Sequence, residues 1–471
     1  MTRRQPGGAG GEDLRSAARS DASGGAAAGG AHGPRRAALR RALDQLRGMG
    51  WALGDQCLVS AANFLTIYLF ARHLETSHFG AFMLAYVGLQ LLTSMQNAFL
   101  TQPHNVLAAA LPPLEYRRFT GAVLLMQMCA CAAVGAALGL IGWLVWRAWS
   151  PAAGSVLIAL AVAAIPWLAQ EFVRRVLYTR GDSRAAAKND FVAYGLQLSG
   201  ALLLAGLWAD RASPETALAV LGGASLAGVA VGWWQLRDHV SLGEGMAAAL
   251  GRTWHEVWQF GKWLTGQNTL VWLGGQGDTW IIGLILGPEQ VGLYRAATHL
   301  ANVMNIVRQA AISYLPSRGS LAYHHGGAAA LSRWVRKAWW WLLAALLPFC
   351  VVLAGFPGWL LGIAYGDRYA TPEAALILAL STLAQCILFV KYPFDLGLLA
   401  LRRTKAIFYI HLIPVVVLFT SGVSLIYFFG IIGAPLSAML ISSLLLFATW
   451  RTYTRLVREP AAVPSAGSRH D

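Results

Sequence analysis

GAFMLAYVGLQLLTSMQN (80–97) and GLYRAATHLANVMNIVRQ (292–309) read as two copies of one helix, 212 residues apart. The register pairs Gly80 with Gly292, Phe82 with Tyr294, Ala85 with Ala297, Gln90 with Asn302, Thr93 with Asn305 and Asn97 with Gln309. Tyr86, Gln90, Thr93 and Asn97 are spaced four, three and four apart, so they share one helical face. The remaining faces are apolar enough for a bilayer. Amides and hydroxyls turned towards lipid tails would lose their water partners and gain none. Both stripes are therefore expected to face protein or a wet cavity. A water-seeking face repeated in two halves of a membrane protein is what a transporter needs.

The chain has 471 residues, 56% hydrophobic and 13% charged, about half the charge fraction of an ordinary soluble domain. Apolar runs long enough to cross a hydrocarbon core of about 30 Å recur along it. They predict twelve spans: 50–71, 79–101, 119–146, 152–173, 190–208, 214–236, 258–286, 290–315, 335–356, 373–400, 406–428 and 431–450. The runs are continuous rather than alternating, which excludes a β-barrel. The expected fold class is an all-α integral membrane protein, with two parallel-repeat six-helix lobes around a central cavity. Residues 1–47 read as a disordered basic cytoplasmic tail, 48–236 as the N-lobe and 258–450 as the C-lobe. Between the lobes, 237–257 reads as a cytoplasmic linker with its own surface helix, and 451–471 as a second cytoplasmic tail.

A net charge of +15 would suit nucleic acid, but its distribution argues otherwise. Counting from the N-terminal tail, 29 Lys or Arg lie in alternate segments outside the spans, with Arg336 and Lys337 at a span's edge counted among them, and the other segments hold five, with Arg295 at a span's edge counted among them. That is the positive-inside asymmetry. It places both termini in the cytoplasm, makes the chain a multi-pass protein of the cytoplasmic membrane, and points to membrane lipid rather than nucleic acid as a partner. The five cysteines all fall inside predicted spans with no CxxC spacing, and read as small buried hydrophobes, not as disulfides or metal ligands. No cofactor motif is present. The missing GxxxxGK[ST] loop excludes an ATPase motor within the chain. The short external loops give an external catalytic surface little to be built from, and leave a membrane enzyme acting through an acid such as Asp367 as a minor alternative.

Candidate site residues come from the polar positions. The second stripe carries Arg295, Thr298, His299, Asn302, Asn305 and Gln309, with Arg308 beside it. Arg308 is expected deep in its span, where an isolated charge is costly and a guanidinium can fork onto a diphosphate. An arginine snorkelling to the cytoplasmic surface is the competing reading. His299 could relay protons or be a hydrogen-bonded structural histidine. In span seven, Gln267 and Asp278 share one face, and Lys262, Thr269 and Gln276 another. The expected cavity wall is thus Arg308, Arg295, His299, Asn302, Asn305, Gln309, Gln90, Thr93, Asn97, Lys262 and Gln267. Asp278 and Asp55 are the ion-coupling candidates. The plainer readings are a cap on a broken helix half for Asp278 and a helix-dipole acid for Asp55. Glu171 with Arg175, and Lys391 with Asp395, read as structural pairs four residues apart.

Three stretches resemble a known family. GDTWIIGLILGPEQVGLYRAATHLANVMNIVRQAAISYLPS (277–317) looks like the seventh and eighth helices of polysaccharide flippases, in the multidrug/oligosaccharidyl-lipid/polysaccharide exporter superfamily. LLGIAYGDRYATPEAALILAL (360–380) is similar to the family's Gly-aromatic loop before helix ten. LIYFFGIIGAPLSAMLISSLLLF (425–447), with Gly430 and Gly433, is similar to its opening of helix twelve. The resemblance implies a cavity lined by the first two helices of each lobe. It implies a polyprenyl-diphosphate-linked oligosaccharide as cargo for exopolysaccharide, capsule or O-antigen synthesis. A polysaccharide polymerase and glycosyltransferases are the partners it implies, and it implies a transporter, not an enzyme. A cation-coupled multidrug antiporter of the same superfamily is the alternative. It needs acids in the cavity, whereas the stripe's charges are Arg295 and Arg308.

Overall fold

The computed structural model describes residues 34–108, 111–243, 245–401 and 404–458. The tail expected to be disordered, as far as residue 33, and the C-terminal tail beyond 458 lie outside the described residues. Residues 1–50 and 51–471 are separate units. The first is described only as helical from Pro34, and the second holds both lobes.

The N-lobe comprises α1 (Pro34–His73), α2 (Thr76–Gln96), α3 (Gln102–Leu107), α4 (Pro113–Ala148), α5 (Pro151–Thr179), α6 (Ser183–Gly206) and α7 (Pro214–Leu236). The C-lobe comprises α8 (Met246–Leu286), α9 (Pro288–Ala301), α10 (Asn305–Gly355), α11 (Pro357–Tyr365), α12 (Pro372–Ala400), α13 (Thr404–Ile410), α14 (Ile413–Val417), α15 (Val423–Phe429) and α16 (Gly433–Arg458). A π turn, Asn97–Thr101, joins α2 to α3, and another, Leu418–Gly422, joins α14 to α15. α10 breaks at Gly326 and Gly327, the latter at φ +60°, and so supplies parts of two spans.

Helix covers the twelve expected spans apart from a turn at 411–412 and the last residues of the fifth and ninth, and the described residues contain no strand. Seven stretches among the described residues are long and apolar enough to cross a bilayer unaided, and one of them, 406–457, holds two expected spans. The first, fifth, seventh and eighth spans fall outside that set. These carry Asp55, Asp190, Asp278 and Arg295, which can lie at membrane depth only where protein or water satisfies them. Residues 245–257, expected as a separate surface helix, instead form from Met246 onward the first turns of α8, which continues unbroken to Leu286.

The repeat extends beyond the two stripes. In the N-lobe α4 packs on α5 and α5 on α7, and in the C-lobe α10 packs on α12 and α12 on α16. α5 and α12 begin alike. Ser150 precedes Pro151 and accepts from the Ala153 N–H at 3.3 Å, and Thr371 precedes Pro372 and accepts from the Ala374 N–H at 3.2 Å. Each is a hydroxyl cap followed by a proline whose missing donor costs nothing there.

α2 and α9 form the seam between the lobes, and they are closest at the aligned glycines. A Cβ at Gly80 would run into the Pro288 carbonyl, and one at Gly292 into the Thr76 carbonyl. Around this crossing a single core passes from lobe to lobe, with Phe70, Leu74, Phe79 and Phe82 against Tyr294, Ala297, Tyr365 and Tyr369. Two arginines tie the same end. Arg72 donates to the carbonyls of Ile363 (3.3 Å) and Ala364 (3.1 Å) in the last turn of α11, while Arg368 donates to those of Ala71 (3.2 Å) and Arg72 at the end of α1. Each lobe thus caps a helix C-terminus of the other, where bare carbonyls and the helix dipole favour a cation. At the opposite end the cores are separate: Leu100, Phe119, Phe172 and Val176 in the N-lobe, and Leu331, Val335, Leu398 and Tyr453 in the C-lobe. Only α8 reaches across in these cores, through Val257 in the N-lobe set. The lobes share one core at one end; at the other their cores are separate and α8 is what crosses, its Gly261 lying against the Phe99 backbone.

The reading of the cysteines is corrected by the packing. Cys350 of α10 and Cys386 of α12 form a disulfide. The pair is 36 residues apart, and only the packing of α10 on α12 brings it together, so spacing could not reveal it. Cys131 is buried, whereas Cys57 and Cys129 are exposed.

Candidate substrate cavity

On the divided side of the Gly80–Gly292 crossing lies a cavity of about 390 Å³. α2 lines it with Tyr86, Gln90, Thr93 and Ser94, and the π turn adds Asn97 and Thr101. The first stripe therefore faces a cavity along its whole length. α5 contributes Glu171 and Arg175, α8 contributes Trp272 and Gln276, and α9 contributes Arg295. The wall thus carries two guanidinium groups from different lobes, one carboxylate, and a set of amides and hydroxyls.

The polar groups are braced by neutral partners. Gln90 donates to the Tyr86 hydroxyl at 3.0 Å, and the Trp167 indole N–H donates to Thr93 at 3.1 Å. Arg295 donates to Gln276 Oε1 at 3.1 Å and to Thr279 Oγ1 at 3.4 Å. Both acceptors are uncharged, so they orient the guanidinium and leave its charge for an anion. Arg175 is exposed on the cavity wall. It does not make the pair with Glu171 expected from their spacing. Glu171 instead lies 3.8 Å from Arg174 and accepts from the Tyr194 hydroxyl at 3.2 Å. Consecutive helical residues point about 100° apart, so Arg174 turns into the lobe while Arg175 turns to the cavity. The other expected pair is present, with Lys391 Nζ 2.5 Å from Asp395.

Thr298, His299, Asn302, Asn305 and Arg308 do not line this cavity. Residues 302–304 form a 3₁₀ turn. A 3₁₀ residue rotates the chain about 120° where an α residue rotates it about 100°, so three of them swing the next helical residues by about 60°. Asn305 donates to Asn302 Oδ1 at 3.1 Å, and Arg308, exposed, donates to Asn305 Oδ1 at 2.8 Å. The side chain of Gln309 lies outside the described residues. His299 is buried in the seam between the lobes, stacked on Phe64 at 4.5 Å and 3.1 Å from the Tyr365 hydroxyl. Lys262 and Gln267 are exposed on α8, and the Lys262 ammonium lies 5.8 Å from the Trp263 ring centre. Asp278 accepts from the Tyr294 hydroxyl, which ties α8 to α9, and from the Thr279 N–H at 2.7 Å.

Asp55 belongs to a separate buried cluster inside the N-lobe. Arg174 bonds Asp190, lies 3.3 Å from Asp55 and 3.8 Å from Glu171. Tyr178 donates to Asp55, and Gln170 donates to Asp190 at 3.1 Å. One cation thus serves three carboxylates, and Asp55 Oδ1 has no hydrogen-bond partner among the described residues. Sequence reasoning does not find this ion cluster, and its expected cavity wall lacks Ser94, Gln96, Thr101, Glu171, Arg175, Trp272 and Gln276. Asp190 stands at the end of an expected span, where an acid draws no notice. Trp272 and Gln276, four apart on α8, are the available signal for a second polar-aromatic face.

A family model described as "Polysaccharide biosynthesis protein" matches residues 226–373, which hold the second stripe. No curated protein sequence matches the chain. Among solved structures, a multidrug resistance MATE family transporter of the MOP superfamily, in an inward-facing conformation, is similar at 12% identity and a TM-score of 0.63. The match covers 85% of this chain and 94% of that one. The lipid II flippase MurJ, inward closed, is similar at 11% identity and a TM-score of 0.63, over 87% of each chain. A MOP superfamily transporter from Pyrococcus furiosus is similar at 11% identity and a TM-score of 0.55, over 88% of this chain and 95% of that one. The molecule is a multi-span membrane protein with the fold of the MOP superfamily transporters.

Proposed function

We propose that the protein carries a polyprenyl-diphosphate-linked oligosaccharide from the cytoplasmic to the outer leaflet of the cytoplasmic membrane, for assembly of an exopolysaccharide, capsule or O-antigen. The observation that carries this reading is the placement of Arg175 and Arg295, from opposite lobes, on one amide-lined cavity. A diphosphate stripped of water would cost tens of kcal/mol by Born estimates. Two forked guanidinium groups and the amides of Gln90, Asn97 and Gln276 replace that hydration. The lipid tail stays in the bilayer while the lobes rock. Because the two arginines sit on different lobes, rocking changes their separation, so the anion is held differently in the two states. The joined end faces outwards in this reading, both termini are cytoplasmic, and a polymerase and glycosyltransferases are the working partners.

The Asp55–Arg174–Asp190–Glu171 cluster supports ion coupling. With every carboxylate ionised it carries two uncompensated negative charges in a buried setting, which a proton or a small cation would offset. The same cluster favours a second reading, the cation-coupled drug antiporter, but the cavity's own charge balance suits an anion.

The test is made in cells that depend on this chain for surface polymer. An Arg175→Gln/Arg295→Gln double variant that inserts and accumulates is expected to leave lipid-linked sugar on the cytoplasmic side and polymer at least tenfold reduced. Surface polymer at the wild-type level would remove the anion-binding role.

A further inference from the structure

The cavity holds one side chain that a diphosphate does not need. Trp272 stands on its wall, one helical turn before Gln276 on the same face of α8. Its ring lies 5.1 Å from that of Trp280, at 53°. Trp280 is itself anchored across the lobe boundary, its indole N–H donating to the Leu84 carbonyl at 3.3 Å. The Trp272 ring is thus propped on one side and half-buried.

A pyranose has apolar C–H faces and an equatorial rim of hydroxyls. It is matched by a flat aromatic surface under one face and by amides or a carboxylate around the rim. Trp272, with Gln276 beside it and Gln90, Asn97 and Glu171 on the same cavity, is that combination. A planar aromatic cation would also stack on an indole, but Arg175 and Arg295 would repel it. At about 390 Å³ the cavity sits near the low end of ligand pockets, which run from about 300 to 1,000 Å³. It suits a diphosphate with the first sugar, and leaves the rest of an oligosaccharide beyond it.

Resting on the flippase reading, we infer that Trp272 is the platform for the diphosphate-proximal sugar and so discriminates glycosylated from bare carrier lipid. Arg175 and Arg295 recognise what all carriers share, and Trp272 recognises that a sugar has been attached.

The purified full-length chain is titrated with three probes: a short-chain polyprenyl diphosphate, the same lipid bearing one hexose, and ethidium. Wild type is expected to bind the hexosyl lipid about tenfold more tightly than the bare lipid, equivalent to about 1.4 kcal/mol. Trp272→Ala is expected to lose that tenfold preference, and an unfolding midpoint in detergent near that of wild type shows that it is folded. Trp272→Phe should restore most of the preference. A Trp272→Ala variant that keeps the full preference overturns the inference and leaves the flippase reading intact. Wild type that binds neither lipid, or binds ethidium more tightly than both, overturns that reading and the inference with it.

Discussion

Arg174 and Arg175 are neighbours with opposite surroundings. Arg174 sits among Asp55, Glu171 and Asp190, and Arg175 faces the cavity. Removing a cation from a buried cluster leaves its acids uncompensated, so Arg174→Met is expected to destabilise the chain by about 3–5 kcal/mol. Thermal unfolding in detergent measures it, and an unchanged midpoint would contradict the account. Arg295→Gln should leave stability near wild type and reduce transport at least tenfold. Arg308→Ala, at an exposed site bonded only to Asn305 among its described partners, should reduce transport much less. Polymer export normalised to protein level compares the two, and equal losses would contradict the placement of the cavity. At this scale the sequence was legible where periodicity decides. Gln90, Thr93 and Asn97 share a face, and that face lines the cavity. It was not legible for Glu171, whose choice between Arg174 and Arg175 depends on what α1 and α6 present to it.

Between elements, the aligned glycines do the same job in both copies. The 212-residue register that matches Gly80 to Gly292 in sequence also brings them together in space, because the two copies cross at that point. A side chain at either position has nowhere to go but into an opposing carbonyl. Gly292→Val is therefore expected to part α2 from α9. Thermal unfolding in detergent should show Gly292→Val less stable than the parent by about 2 kcal/mol or more. An unchanged midpoint would show that the seam does not need the close approach. The lower half of the second stripe was not legible, because a three-residue 3₁₀ turn at 302–304 changes the helix phase and leaves no composition signal. α8 was misdivided for a related reason, since polar residues at 252–256 read as surface although the helix runs on through them.

For the molecule as a whole, a core crossing the lobes at one end and separate cores at the other describe a hinge-like pair joined at one end. The reciprocal caps of Arg72 on α11 and Arg368 on α1 hold that end without an acid, so they cost no buried carboxylate when they part. Spin labels on opposite lobes at this end should report one short distance in wild type and an added longer one in Arg72→Ala/Arg368→Ala. An unchanged distance distribution would show that packing alone keeps the end shut. The two-lobe architecture was readable from span count, charge alternation and the repeated stripe, because these follow from the bilayer itself. Which end is joined was not, because it depends on contacts between residues nearly 300 positions apart. The most direct test of the central claim uses liposomes reconstituted with the purified chain and a hexosyl polyprenyl diphosphate placed in one leaflet. Wild type should move the lipid across at least tenfold faster than Arg175→Gln/Arg295→Gln. Transfer at the rate of protein-free liposomes, or at equal rates in both proteins, would contradict it.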